Sequence, residues 1–116
     1  MKYALLIYGN EKNWAQADEE TVNEAMAAHG RFSDMLGERG AMRGGEELAA
    51  SDAATTVHAR GDGDFVLTDG PYAETSEQLG GFYLVEAADL DEAIEYAKAL
   101  PGDIVEVRPD VEYTGP

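Results

Sequence analysis

The chain has 116 residues, of which 24 are acidic and 8 are basic, so its formal net charge at neutral pH is −16. A surface this acidic repels phosphate backbones, which excludes direct binding of DNA or RNA. Two interpretations of the charge remain: a solvated surface, or the attraction of a cationic partner. The absence of cysteine excludes disulfides, thiol chemistry and cysteine-ligated zinc. The length fits a single domain, residues 1–116. Because the sequence shows no leader-like segment and no long apolar run, we expect a cytoplasmic protein without membrane contact.

The first predicted element is a strand over residues 2–8 that is apolar on both faces. Tyr3, Leu5 and Ile7 share one face, and Ala4, Leu6 and Tyr8 share the other. A strand of this kind is covered on both sides. Because the helices of a small domain can cover one face of the sheet, the other face predicts a second copy of the chain. Residues 9–17 are predicted as a polar loop in which Trp14 packs down at the end of the loop, the more common outcome, or forms a flap over a pocket.

A helix is predicted over residues 18–39, with Asp18 as its N-cap and Gly40 at its end. One face carries residues at helical spacing, which predicts that this face turns toward the sheet. These residues are Val22, Met26, His29, Phe32 and Leu36. A histidine on an apolar face is either a hydrogen-bonded structural group or a proton-transfer group, and the pattern alone leaves both open.

The remaining elements complete an α+β pattern. Strands are predicted over residues 41–48, 81–87 and 104–108, and Gly44-Gly45 in the first of them predicts a bulge or a close approach of the backbone. Residues 55–59 and 64–68 are predicted to form a hairpin, and residues 90–100 a helix capped by Asp89. Residues 110–116 are expected to form a tail lying on a partner. The order predicts a ferredoxin-like βαββαβ fold with a β-hairpin insertion.

The stretch beginning at Asp69 carries a family resemblance. Asp69-Gly70-Pro71-Tyr72-Ala73-Glu74-Thr75, followed by Glu77-Gln78-Leu79-Gly80-Gly81-Phe82, is similar to the signature of the DGPF branch of the YCII-related family, and residues 2–8 resemble its first strand. The resemblance implies a ferredoxin-like domain that pairs into a dimeric α/β barrel. It also implies an enzyme with a histidine and aspartate pair. Tyr72 stands where Phe is usual and Ser76 where Lys is usual, so no role for a cation at position 76 is expected.

The candidate catalytic residues are therefore His29 and Asp69. Asp69 would orient the imidazole, and His29 would act as a general acid or base. Alternatively, Asp69 accepts hydrogen bonds within its own turn. Six further residues are predicted to contact a substrate: Tyr8, Arg43, Pro71, Tyr72, Glu74 and Ser76.

Two functions remain open at this level. The first is a small-molecule enzyme of the lyase or isomerase type. The second is a non-catalytic ligand-binding or accessory module, which the resemblance links to sigma-factor signalling. A homodimer and a small-molecule ligand are the predicted partners. No motif predicts a cofactor, and although Asp, Glu and His side chains are able to gather a cation, no spacing predicts a metal site.

Overall fold

A computed structural model of the chain describes residues 1–102 and 104–111. In chain order the elements are β1 (Lys2–Asn10), α1 (Glu11–Ala15), α2 (Glu19–Glu38), β2 (Met42–Glu47), a 3-10 turn (Ser51–Ala53), β3 (Thr55–Gly61), β4 (Asp64–Asp69), β5 (Glu77–Glu86), α3 (Leu90–Lys98) and β6 (Ile104–Pro109). Residues 112–116 of the predicted tail lie outside the described residues.

Four strands form one sheet in the order β2-β5-β1-β6, and every neighbouring pair is antiparallel. Helices α2 and α3 connect strands of this sheet, so the predicted ferredoxin-like α+β class is confirmed. Strands β3 and β4 pair with each other in a separate two-stranded antiparallel sheet. Asp62 and Gly63 both have positive φ, at 51° and 75°, which gives the tight turn between these two strands.

The two long helices begin where their capping residues predict. The Asp18 side chain accepts a hydrogen bond from the Thr21 backbone N–H at 2.8 Å, which also lowers the pKa of Asp18. Asp89 accepts the equivalent bond from Glu92 at 2.9 Å. Gly40, with φ of 65°, follows the end of α2 and takes a conformation that favours glycine.

Three local predictions are wrong. The predicted polar loop over residues 9–17 contains α1, because the Asn10 side chain caps a helical turn by accepting from the Asn13 backbone N–H at 3.1 Å. Trp14, within α1, is exposed rather than packed down. Strand β5 starts at Glu77 instead of residue 81, since Gln78 and Leu79 pair with the end of β1. The predicted bulge in β2 is present as a register shift between Met42 and Gly44.

The core lies between the sheet and the helices. Its buried residues are Tyr3, Leu5, Phe32, Leu36, Ala41, Val85, Ala87, Ala93, Tyr96 and Leu100. Phe32 and Leu36 confirm that α2 turns this face toward the sheet. Full burial of this face is limited to the last two turns of the helix. Earlier in the helix, Val22 and His29 are half-buried and Met26 is 53% exposed.

The opposite face of the sheet carries the other apolar residues of β1 and β5. Leu6 lies opposite Phe82 and Ala4 lies opposite Leu84 in the antiparallel pairing. Ala4, Leu6 and Leu84 are only half-buried, and none of the four residues belongs to the helix-facing core. We call this surface, formed by Ala4, Leu6, Phe82 and Leu84, the open sheet face.

The molecule is a flat plate with Cα extents of 48 × 47 × 18 Å. Its radius of gyration is 16.6 Å, whereas a compact domain of this length has about 13 Å. The flat shape belongs to a four-stranded sheet with helices on one side together with the separate two-stranded sheet of β3 and β4. Across the described residues, no helix combines the length and the apolarity that a membrane crossing requires.

Candidate functional site

The candidate site centres on a contact between α2 and β5. His29 Nδ1 lies 2.9 Å from the Tyr83 hydroxyl oxygen, and both side chains are half-buried. Tyr83 extends from the helix-facing side of β5, because it alternates with Phe82 and Leu84 on the open sheet face. The contact therefore joins the middle of α2 to the sheet.

Aromatic packing holds Tyr83 in this position. Phe32, one turn after His29 on α2, meets the Tyr83 ring edge-on with the ring centroids 4.8 Å apart. The His29 and Tyr83 rings lie nearly parallel, with an interplanar angle of 20° and centroids 5.9 Å apart. A hydrogen bond combined with two ring contacts restricts the orientation of the imidazole.

Backbone pairing places an acidic residue beside this contact. Gly81 lies between Ile7 on β1 and Glu47 on β2, and Gly45 is the residue opposite Tyr83. Directly paired residues share a face of the sheet, so Glu47 rises on the same side as Tyr83, two positions along. Gly81 is buried, and a Cβ there would lie 2.9 Å from the Glu46 carbonyl oxygen, so β2 approaches β5 closely at this position.

The electrostatic environment keeps His29 neutral. Burial is the main cause that lowers the pKa of His29 below its usual value, and the charge of Glu47 acts in the opposite direction. Because burial outweighs the carboxylate, the neutral imidazole predominates at pH 7. Glu47 thus supplies the negative charge next to an uncharged histidine.

The second nitrogen of the ring is accessible. Within residues 1–102 and 104–111, His29 Nε2 has no protein hydrogen-bond partner, and no fully buried side-chain nitrogen or oxygen lacks one. Nε2 therefore reaches solvent. A histidine held at Nδ1 and open at Nε2 is able to exchange a proton with a bound molecule.

The structure places Asp69 in a different element. It is the last residue of β4 and is exposed. The following turn is held by Gly70, whose N–H donates to Ala54 O at 2.7 Å, and by the Thr56 hydroxyl, which donates to Gly70 O at 2.8 Å. In the described part of the chain, the Asp69 side chain forms no hydrogen bond with His29 or within its own turn.

The loop after Asp69 is open to solvent. Tyr72 is 86% exposed, Glu74 and Ser76 are exposed, and Pro71 is half-buried. The Gln78 side chain holds this loop by donating to Ala73 O at 2.8 Å. These predicted substrate contacts line a loop surface and not the space beside His29 in the single chain.

Two other predicted contacts lie elsewhere on the sheet. The Tyr8 hydroxyl donates to Glu106 at 3.4 Å, and Tyr8 alternates with Ile7, so it lies on the side of the open sheet face. Arg43 donates to Gly40 O at 2.8 Å and pairs with Glu86 at 3.9 Å, near the end of α2. The structure does not bring either residue into contact with His29.

Comparison with known proteins assigns the family. The model of the YCII-related domain matches residues 1–108. The chain belongs to the YCII-related family. An uncharacterised protein of Rhizobium meliloti is similar, with 37% identity over 103 residues that cover 86% of this chain and 80% of the relative. The region matched by the family model contains His29, Asp69 and Tyr83.

Sequence reasoning identified one of the two groups that meet here, because it predicted His29 and not Tyr83. Tyr83 and Glu47 were not predicted as site residues. Tyr83 follows the Gly80-Gly81 pair on a strand that is apolar on both faces. Its hydroxyl, the polar group on the helix-facing side of that strand, is the sequence signal that could have identified Tyr83. Among the residues that the structure describes, no group of three or more His, Cys, Asp or Glu side chains is arranged to hold a metal ion.

Proposed function

We propose that this YCII-related protein is a small-molecule enzyme of the lyase or isomerase type in which His29 transfers the proton. The observation that carries the proposal is the half-buried, neutral His29, held at Nδ1 by Tyr83 and open at Nε2. Lyases and isomerases both require a group that removes a proton from a substrate and returns or releases it.

Tyr83 performs the orienting role within one chain. When His29 Nδ1–H donates to the Tyr83 oxygen, Nε2 carries the lone pair and acts as the base. When the Tyr83 hydroxyl donates to Nδ1, Nε2 carries the hydrogen and acts as the donor. The same contact therefore supports both halves of a proton transfer.

Asp69 stays in the proposal as a second orienting or substrate-contacting residue from the DGPF-type turn. Pro71, Tyr72, Glu74 and Ser76 follow it in the same loop, and Tyr8 and Arg43 remain proposed contacts. Asp69→Asn tests this part separately, because the substitution keeps the size of the side chain and removes its charge. An unchanged rate in Asp69→Asn with a lost rate in His29→Gln would restrict the catalytic role to His29.

We further propose that the working unit is a cytoplasmic homodimer in which two sheets pair into an α/β barrel. The open sheet face supports this proposal, because its apolar residues otherwise meet water. The hairpin formed by β3 and β4 gives further support. Cross-strand pairing places four of its side chains on one side, and we call this surface the arm face: Val57, Ala59, Phe65 and Leu67. Phe65 is 55% exposed and Leu67 is 68% exposed.

The function is tested by hydrogen exchange, an assay that does not depend on a known substrate. The protein is incubated in D₂O with pools of metabolites, and mass spectrometry measures deuterium at carbon. An enzyme that abstracts a carbon-bound proton exchanges it with solvent deuterium even when turnover is slow. We expect exchange or conversion of a specific metabolite by the wild type and at least a roughly 100-fold loss in His29→Gln.

His58→Gln is the matched control, since His58 lies exposed on β3 and is the second of the two histidines. Full activity of the His29→Gln protein would overturn the proposal. Saturable binding of a metabolite with neither exchange nor conversion would also overturn it, and would favour the non-catalytic binding module.

A further inference from the structure

We propose that Glu11 is the positioning residue that sets the direction of the β3–β4 hairpin relative to the four-stranded sheet, and that a second copy of the chain binds the hairpin held in this direction. The inference goes beyond the role of His29, and its part about the second copy rests on the proposed homodimer. We call residues 51–70, which comprise the 3-10 turn, β3 and β4, the arm.

The arm makes few contacts with the rest of the chain. Among the described residues, its two strands pair only with each other, and none of its residues belongs to the buried core. Within residues 1–102 and 104–111, the hydrogen bonds that join the arm to residues 1–48 or 77–111 all go to one side chain, that of Glu11. Packing into the core therefore does not determine the direction of the arm.

Glu11 holds the first residue of the arm at two points. It is the first residue of α1 and directly follows β1, an inner strand of the four-stranded sheet. One carboxylate oxygen accepts the Ser51 backbone N–H at 2.6 Å, and the other accepts the Ser51 hydroxyl at 2.5 Å. Both residues are half-buried. Two hydrogen bonds from one carboxylate to one residue restrict its position and its orientation, and bonds to a charged group are the stronger kind.

Further hydrogen bonds connect Ser51 to both strands of the arm. Within the 3-10 turn, the Ala54 N–H donates to Ser51 O at 3.1 Å. The Gly70 N–H donates to Ala54 O at 2.7 Å, and the Thr56 hydroxyl donates to Gly70 O at 2.8 Å. Because Ala54 precedes β3 and Gly70 follows β4, the position of Ser51 determines where the base of the hairpin lies.

The direction of the arm matters because the arm face is apolar and exposed. A two-stranded sheet is marginally stable by itself, which favours a partner that covers it. The broad side of the molecule extends over 48 × 47 Å and has room for the roughly 800 Å² that a stable interface needs on each partner. If the free chain already holds the arm in the bound direction, association does not have to order it, and binding is tighter.

The loop over residues 71–76 provides the competing explanation, because it also joins the arm to the four-stranded sheet. Gln78 on β5 holds this loop by donating to Ala73 O at 2.8 Å and to Thr75 O at 3.2 Å. If the loop set the direction of the arm, Gln78→Ala would release the arm and Glu11→Ala would not.

The test measures the distance between the arm and α3 in the full-length chain by pulsed electron paramagnetic resonance. The sequence contains no cysteine, so Thr68→Cys and Ala99→Cys provide the only two attachment sites for spin labels. Both positions are exposed. An excess of unlabelled protein restricts the measured distances to those within one chain. With Glu11 present, we expect one narrow distance distribution.

Glu11→Ala should broaden or split this distribution. Glu11→Gln keeps an oxygen acceptor, and Ser51→Ala removes only the hydroxyl bond, so each should broaden the distribution less. Glu38→Ala is the matched control, because it removes the same charge from an exposed position at the end of α2. Glu38→Ala and Gln78→Ala should both keep the narrow distribution. Since α1 has no buried residue, the Glu11 variants should remain folded.

Self-association of the cysteine-free chain is measured by sedimentation. We expect Glu11→Ala to weaken it about 10-fold, as for the loss of hydrogen bonds to a charged group, and Glu38→Ala to leave it unchanged.

Three results would overturn the proposal: a narrow distribution in Glu11→Ala, equal broadening by Glu38→Ala, or unchanged self-association of Glu11→Ala where the wild type is a dimer. Its failure is distinguishable from failure of the proposed function. A monomeric wild type whose narrow distribution is broadened by Glu11→Ala would reject the homodimer and retain Glu11 as the residue that positions the arm. The exchange of metabolites by His29 is measured independently of both.

Discussion

The hydrogen bond between Tyr83 and His29 contributes to stability as well as to the orientation of the imidazole. Tyr83→Phe keeps the ring that packs against Phe32 and removes only the hydroxyl. We expect a loss of about 0.5–1.5 kcal/mol in the free energy of unfolding, measured by urea denaturation. Tyr8→Phe is the matched control, since its hydroxyl makes a longer contact of 3.4 Å with Glu106. An equal loss in both variants would contradict a special role for the Tyr83 contact.

The lowered pKa of His29 predicts a pH dependence of stability. Burial disfavours the protonated imidazole in the folded state, so the unfolded chain binds more protons at mildly acid pH. The stabilisation is complete above the unfolded pKa of about 6.5 and is lost as the pH falls through the lower folded value. We expect the unfolding free energy of wild type to fall more between about pH 7.5 and 5 than that of His29→Gln. Parallel pH profiles would show that His29 titrates normally.

For single residues, the sequence predicted the position of His29 but not the residues that act on it. The helical spacing around Phe32 and Leu36 placed the histidine on the sheet-facing side of α2. Tyr83 lies 54 positions further along the chain, and Glu47 reaches the site only through the pairing of β2 with β5. Register between strands distant in sequence is not encoded in local periodicity, so neither partner was predicted.

At the scale of the elements, the capping residues determine where the helices begin. Asp18→Ala removes the acceptor for the Thr21 N–H and should lower the unfolding free energy by about 1 kcal/mol. Asn10→Ala removes the equivalent bond from α1, which has no buried residue. We therefore expect a smaller effect of Asn10→Ala on global thermal unfolding. Equal effects would mean that α1 is as tightly coupled to the core as α2.

The same substitution, Gly to Ala, is expected to change stability in opposite directions at Gly45 and Gly30. A Cβ at Gly45 would lie 2.8 Å from the Phe82 carbonyl oxygen, whereas a Cβ at Gly30 on α2 would have no neighbour within 4 Å. Gly45→Ala should therefore destabilise the fold by about 1–3 kcal/mol through overpacking, and Gly30→Ala should stabilise it by about 0.5–1 kcal/mol. Thermal unfolding of the two variants checks both signs. Stabilisation by Gly45→Ala would contradict the close approach of β2 to β5.

The elements themselves were largely predictable because their signals are local. Asp18, Gly40 and Asp89 mark helix ends, and Asp62-Gly63 marks the turn between β3 and β4. The early start of β5 was missed because Glu77 and Gln78 carry no apolar alternation. They become strand residues by pairing with Asn10 and Gly9 of β1, which is a tertiary effect.

For the molecule as a whole, the flat shape and the exposed apolar surfaces are the features that a second copy would explain. A stable interface needs about 800 Å² on each partner, and the broad side of the molecule extends over 48 × 47 Å. A two-stranded sheet is also marginally stable by itself. Both features favour a homodimer in which the arm face is covered, despite the repulsion between two chains of charge −16.

Leu67→Asp tests whether the arm face belongs to that interface. Leu67 is 68% exposed in the single chain, so a charge there should leave the monomer folded. In a dimer that covers the arm face, the same charge is buried without a partner and should weaken association by at least about 10-fold.

Thr68→Asp is the matched control, because adjacent strand residues face opposite sides. Sedimentation across a concentration series should give wild type and Thr68→Asp twice the 12.5 kDa chain mass, with Leu67→Asp shifted toward the monomer. A Leu67→Asp protein that associates as tightly as the control would exclude the arm face from the interface, and wild type that sediments as a monomer would reject the homodimer itself.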